Sequence, residues 1–224
     1  KLDHPFSQYM VGECYEFGQG VLKNIEDAKK WYLKAANNDN TLSAFRLGLL
    51  SNDKIEAAKW NYKAASQGHV FAMFNYALSC FINHNDDLLG YKNEDERELA
   101  ALHWFEEAGS YGHLKSQNMA ATFNLNIYDN KLRALAWTLL AKDQGDNTFF
   151  DVLFDEIDIT DQLMTNAVEL KKTLIRYSKG EEISGGKALS KGVAINVKEI
   201  RIKIGDIFKI LKGNKSNYSS ILKL

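Results

Sequence analysis

Proline is almost missing from this chain: Pro5 is the one proline in 224 residues. With so few helix breakers, collagen-like and proline-rich disordered chains are excluded, and long uninterrupted helices are allowed. Cysteine is scarce as well. Cys14 and Cys80 cannot supply a disulfide framework, and both sit in apolar stretches where a thiol behaves as a small hydrophobe. No apolar run reaches the roughly 18–20 residues that span a bilayer, so no transmembrane helix is expected. No signal-peptide pattern opens the chain, which starts at Lys1. Net charge is small too, −1, but it hides an imbalance. Residues 1–170 carry 15 basic and 25 acidic side chains, whereas residues 171–224 carry 13 basic and 4 acidic ones. Such a split suits a tail that docks on the acidic body or meets an anionic partner.

What the chain does have is aromatic residues, 12% of the total, and 4 tryptophans that share one frame, Ala-x-x-Trp-x-x-x-Ala. The copies are Ala28/Trp31/Ala35, Ala57/Trp60/Ala64, Ala101/Trp104/Ala108 and Ala134/Trp137/Ala141. Offsets of three and seven residues place these side chains on one face of a helix. Alanines on either side of an indole let a neighbouring helix approach while the ring fills the gap. The expectation is four indoles buried at equivalent seams. Intervals of 29, 44 and 33 residues between the tryptophans mean a repeat protein whose loops vary in length. Cys14 and Cys80 then fall two repeats apart, too far for one bridge.

The first repeat is the most regular. Residues 7–17 read as a first helix, Gly18-Gln19-Gly20-Val21 as a turn whose glycines take positive φ, and Asn24 as the N-cap of a second helix through Ala36. The string Tyr9-x-x-Gly12-x-x-Tyr15-x-x-Gly18-x-Gly20-Val21, followed by Ala28-x-x-Trp31-Tyr32-x-x-Ala35-Ala36, resembles the Sel-one-like repeat family, relatives of the tetratricopeptide repeat with a longer loop between helices. The second repeat keeps Phe45-x-Leu47-Gly48 and replaces the glycine loop by a tight turn at Ser51-Asn52-Asp53. The third has Ala77 at the glycine position and a polar insertion over residues 83–95. The fourth diverges most in its first helix, 116–125, with Ala121 at that position. Thr160 then caps a helix with Leu163, Ala167, Leu170 and Leu174 on one face.

This resemblance implies an all-α fold, a right-handed α-solenoid of four helix-turn-helix repeats over residues 1–178, in a bacterial protein. Residues 179–224 form a separate basic segment. Val193, Val197, Ile200, Ile204, Phe208 and Leu211 step at helical spacing there, and the reading is an amphipathic helix that caps the solenoid or meets a partner.

Signatures of catalysis are weak. His69 and His113 each follow the glycine that closes a repeat, and no histidine pair has the spacing of zinc ligands on one helix face. Residues 83–87 lack the glycine and terminal glutamate of a calcium loop. Gly185-Gly186-Lys187 lacks both the upstream glycine and the following hydroxyl of a phosphate loop. No nucleophile sits in a recognisable turn motif. Neither enzyme chemistry, nor a metal, nor a cofactor is expected.

The resemblance points instead to protein–protein interaction. In related helical repeats the first helix of each hairpin lines a concave wall. Carrying that face over gives Tyr9, Glu13, Phe45, Leu49, Phe74, Leu78, Phe81, Asn118 and Thr122 as candidate contacts for a peptide or protein domain, with Trp31, Trp60, Trp104 and Trp137 as the structural signature. Members of the family act as adaptors in signalling, envelope assembly and host interaction, and in toxin–immunity pairs. The alternatives are therefore an immunity-type protein that neutralises a cognate toxin, or an adaptor held at a membrane surface by the basic tail. No nucleic-acid partner is expected, because no aromatic residues interleave the basic ones as in a stacking platform. Compartment, periplasmic or secreted as against cytoplasmic, and oligomeric state stay open.

Overall fold

The computed structural model describes residues 4–82, 90–147, 149–151, 153 and 157–175. Among them all regular structure is helical: α1 (Pro5–Phe17), α2 (Ile25–Asn37), α3 (Thr41–Leu50), α4 (Lys54–Ser66), α5 (Val70–Ile82), α6 (Glu94–Ser110), α7 (Leu114–Asn126), α8 (Lys131–Asp143) and α9 (Asp161–Leu174). The basic segment 179–224, the 83–87 run and the Gly185-Gly186-Lys187 sequence lie outside the described residues.

Local chemistry sets where the helices begin. The first backbone N–H groups of a helix have no partner within it, and a short polar side chain supplies one. Asn24 accepts from the amides of Glu26 and Asp27 at 3.1 and 3.2 Å. Asp53 accepts from Ile55 and Glu56, Asn93 from Glu96, and Asn130 from Arg133. Thr160 caps α9 through the Leu163 amide, as its sequence suggests. Two first helices begin earlier than the periodicity indicates. α1 starts at Pro5 rather than Ser7, because proline at the first turn needs no donor and already has helical φ. α7 starts at Leu114 rather than Ser116.

The helix ends repeat as well. After α2, α4, α6 and α8 a single residue turns left-handed: Asp39 (φ 59°), Gly68 (91°), Gly112 (82°) and Gly145 (91°). The next amide returns to an alanine carbonyl, Asn40 to Ala35, His69 to Ala64, His113 to Ala108 and Asp146 to Ala141, at 3.0–3.2 Å. This left-handed closure ends each hairpin and points the chain into the next one.

The described residues fall into two compact units, one of residues 4–117 with Ile175, the other of residues 118–174. In the first, α1 packs on α2, α2 on α3, α3 on α4, α4 on α5 and α5 on α6. Its core is built largely from alanine, with Ala28, Ala35, Ala36, Ala44, Ala64, Ala65, Ala72 and Ala108 all fully buried around Tyr32, Leu47 and Met73. In the second unit α9 packs on α8, and Phe123, Leu135, Trp137, Leu153 and Ala167 are buried.

The expectation of four buried indoles holds for Trp137 alone, 1% exposed; Trp31, Trp60 and Trp104 are half-buried. The side chain that fills the seam is the next one along: Tyr32, Asn61, Phe105 and Thr138 are all buried. The reason is angular. Ala28, Tyr32 and Ala35 are spaced i, i+4, i+7 and share the buried stripe, whereas Trp31 at i+3 sits on its flank. There the Lys34 ammonium lies 4.3 Å from the Trp31 ring centre, and Trp104 meets Tyr62 and Tyr76 edge-on.

Candidate protein-binding surface

Each first helix carries a small residue at its eighth position: Gly12, Gly48, Ala77 and Ala121. The facing side chain of the second helix comes close there. A methyl group on Gly12 would lie 2.5 Å from Tyr32 Cε1, and one on Gly48 would lie 2.9 Å from Asn61 Nδ2. The shared eighth position puts the first helices in sequence register, and the close approach is seen in the first two hairpins, so equivalent positions can be compared directly.

The candidate contacts differ in availability. Tyr9 is buried, meets Phe6 and Tyr32 in tilted ring contacts, and donates to Glu13 Oε1 at 2.5 Å. Glu13 is further tied to Arg46 Nη2 at 3.6 Å, while Arg46 Nη1 lies 3.6 Å from Glu16, which accepts from the Tyr32 hydroxyl at 2.6 Å. This network joins α1, α2 and α3. Burial and the neighbouring carboxylates raise the proton affinity of both tyrosines, Tyr32 the more strongly. Thr122 is buried and bonds its own helix at the Asn118 carbonyl, while the Asn118 amide donates to Asp146. Phe45, Phe74, Leu78 and Phe81 are half-buried, and Leu49 is half exposed.

In the first unit the half-buried rings belong to a ladder that the sequence reading did not assemble. Phe45 on α3 stacks on His69 at 4.2 Å between centroids, His69 reaches Phe71, and Phe71 meets His113 edge-on at 5.3 Å. Phe74 contacts both His113 and Phe105. The two histidines that looked like repeat-closing punctuation are thus part of an aromatic row. Burial lowers the proton affinity of both imidazoles, and Lys115 lowers that of His113 further.

A second row was also missed. The second residue of each first helix is Phe6, Leu42, Phe71 and Lys115. The first three are apolar and open to solvent, 53%, 41% and 59% exposed, and Lys115 is exposed as well. The signal lay in the repeat register. Starting α1 at Ser7 leaves Phe6 outside the helix and hides the alignment.

Among the described residues no group of three or more metal-binding side chains comes together, and no helix is long and apolar enough to cross a membrane. Stacked helical hairpins with small residues at the hairpin seam and a left-handed residue at each closure define a helical repeat protein. The chain belongs to the Sel1 repeat family: the family's model matches residues 5–40, 43–69, 70–113 and 128–146. The last match omits α7, the helix whose sequence diverges most from the repeat pattern. Among solved structures the chain is similar to a Sel1 repeat protein from Oxalobacter formigenes, with 27% identity, TM-score 0.57, and coverage of 75% of this chain and 74% of that one. It also shares its fold with c5321, a protective antigen of uropathogenic Escherichia coli strains, at 22% identity and TM-score 0.57, over 82% of this chain and 43% of that one. No curated protein matches significantly. The fold is the α-solenoid, and Sel1 repeats are in general scaffolds for protein–protein interaction.

Proposed function

We propose that the chain is an adaptor that holds a peptide segment or protein domain against the first helices of its repeats. The observation that carries this reading is the row Phe6, Leu42 and Phe71, large apolar side chains left in solvent at the same position of three successive hairpins. A scattered exposed leucine needs no explanation, but a row in structural register does. Leu49, Leu78 and the ladder from Phe45 to Phe74 extend the apolar area, and Lys115 ends the row with a positive charge. The occupant that fits is a segment with apolar anchors and a carboxylate near one end, held as amphipathic segments are held in grooves. Phe45 and Phe74 serve as the floor, whereas Tyr9 and Glu13 maintain the wall.

Panning a phage-displayed random peptide library on the purified chain tests this. Wild type is expected to enrich apolar peptides that a Leu42→Ser/Phe71→Ser variant fails to capture. Leu42 and Phe71 are 41% and 59% exposed, but Phe71 also touches His69 and His113, so the melting temperature is read beside capture and a Leu42→Ser single variant, which leaves the ladder intact, is panned alongside. Equal enrichment on both proteins, or none on wild type above a blank surface, would remove the row from the interface.

A further inference from the structure

The residue before each first helix is its N-cap, and the four repeats fill that place differently: His4, Asn40, His69 and His113. Asn40 Oδ1 accepts from the Ser43 amide at 2.8 Å. His69 does the same job with its ring, Nδ1 accepting from the Ala72 amide at 3.2 Å. Both acceptors serve the amide three residues into the helix, so repeat two shows what repeat three would look like with a cap that cannot titrate. An imidazole nitrogen can accept only while it is unprotonated, and an N–H at that position would face the Ala72 N–H directly. His113 is not equivalent, because its Nδ1 meets the Ser116 hydroxyl at 2.7 Å, and a hydroxyl can turn from donor to acceptor.

The groups facing the His69 ring are uncharged. From α3 it meets Phe45, and from α5 it meets Phe71 and the Ala72 amide. Among the described residues no carboxylate offsets a positive charge there, and desolvation is the leading influence on the ring. We infer that His69 is an acid-sensitive latch: protonation withdraws the acceptor that caps α5, at the point where the ring links Phe45 to Phe71, and so loosens the centre of the aromatic ladder. This goes beyond the binding reading and stands without it, since it concerns the folded chain alone.

Depressed proton affinity in the folded state gives the direction. The neutral-ring contribution is complete above the unfolded value of 6.5 and is lost as pH falls below it towards the folded value. The experiment compares melting temperatures of wild type, His69→Asn and His69→Ala from pH 7.5 to 5.0. Asparagine keeps the cap at every pH and alanine lacks it at every pH. Asparagine lacks the ring contacts with Phe45 and Phe71, so the readout is the change with pH: relative to His69→Asn, wild type should fall by about 2–4 °C towards the alanine variant between pH 7.5 and 5.0 for a chain this long. Comparing variants cancels the titrations that they share. Wild type running parallel to His69→Asn throughout would overturn the inference. So would an NMR titration of the wild-type His69 ring with a midpoint at or above 6.5, a measurement that needs no variant to fold.

Discussion

At Gly12 an added methyl group would lie 2.5 Å from Tyr32 Cε1 and 2.6 Å from Cδ1. Alanine in place of a helical glycine ordinarily gains up to about 1 kcal/mol of helix propensity. Here the obstacle is a fully buried ring tethered by its hydroxyl to Glu16, so overpacking should outweigh that gain. Gly12→Ala is expected to lower stability by about 1–3 kcal/mol, read as a lower urea midpoint at unchanged slope. A second residue-scale consequence concerns Glu98 on α6, 4% exposed, whose carboxyl is pushed up to about 7 by burial and by nearby Glu94 and Asp95. The folded state therefore holds this proton more tightly than the unfolded one. The resulting stability is fully present below about pH 4.5, its ordinary value, and is lost as pH rises through about 7. Glu98→Gln should gain on the order of 1–3 kcal/mol at pH 8 and change little at pH 4, which unfolding curves at the two pH values would show.

At the scale of the helix, the hairpin closures make one repeat the odd one out. Gly68, Gly112 and Gly145 adopt positive φ without cost, whereas Asp39 holds φ 59° with a side chain. Its contact with Lys63, at 3.8 Å and largely exposed, offsets little of that strain. Asp39→Gly should raise stability by roughly 0.5–1 kcal/mol, whereas Asn24→Ala, which removes the cap of α2, should lower it by about 1 kcal/mol; both are read from thermal unfolding. The elements also show what could be read beforehand. Caps such as Asn24 and Thr160 act through their own next few amides, so their chemistry is local and legible. The Trp frame revealed the repeats for the same reason, since periodicity within one helix needs no knowledge of neighbours. Which of two adjacent residues enters the seam is a different matter. Trp31 and Tyr32 differ by about 100° around the helix. Both are large and aromatic, and only the approach of Gly12 selects Tyr32. The ladder from Phe45 to Phe74 joins α3 to α5 through two capping residues, a contact between repeats that no single-helix pattern contains.

For the molecule as a binding surface, charge and apolar area act at different ranges. The apolar row supplies contact energy over a few ångströms, whereas a lysine at its end attracts a carboxylate over roughly a Debye length, about 8–10 Å at ordinary salt. Lys115 occupies the helix position that Phe6, Leu42 and Phe71 occupy in earlier repeats. On the proposed adaptor reading, this charge discriminates among peptides of similar hydrophobicity. Peptides selected on the wild-type chain should therefore carry an acidic residue beside their apolar anchors. Lys115→Glu should weaken their binding by about 5–10-fold, consistent with roughly 1–1.4 kcal/mol for one reversed surface pair, while sparing peptides without the acid. Raising the salt concentration should shrink the difference between the two proteins, because screening acts on the lysine and leaves the apolar contacts in place. Titrations of one fluorescent peptide and its acid-to-amide analogue against both proteins would separate the contributions. An unchanged ratio on charge reversal would leave recognition to the apolar row and assign Lys115 to solubility.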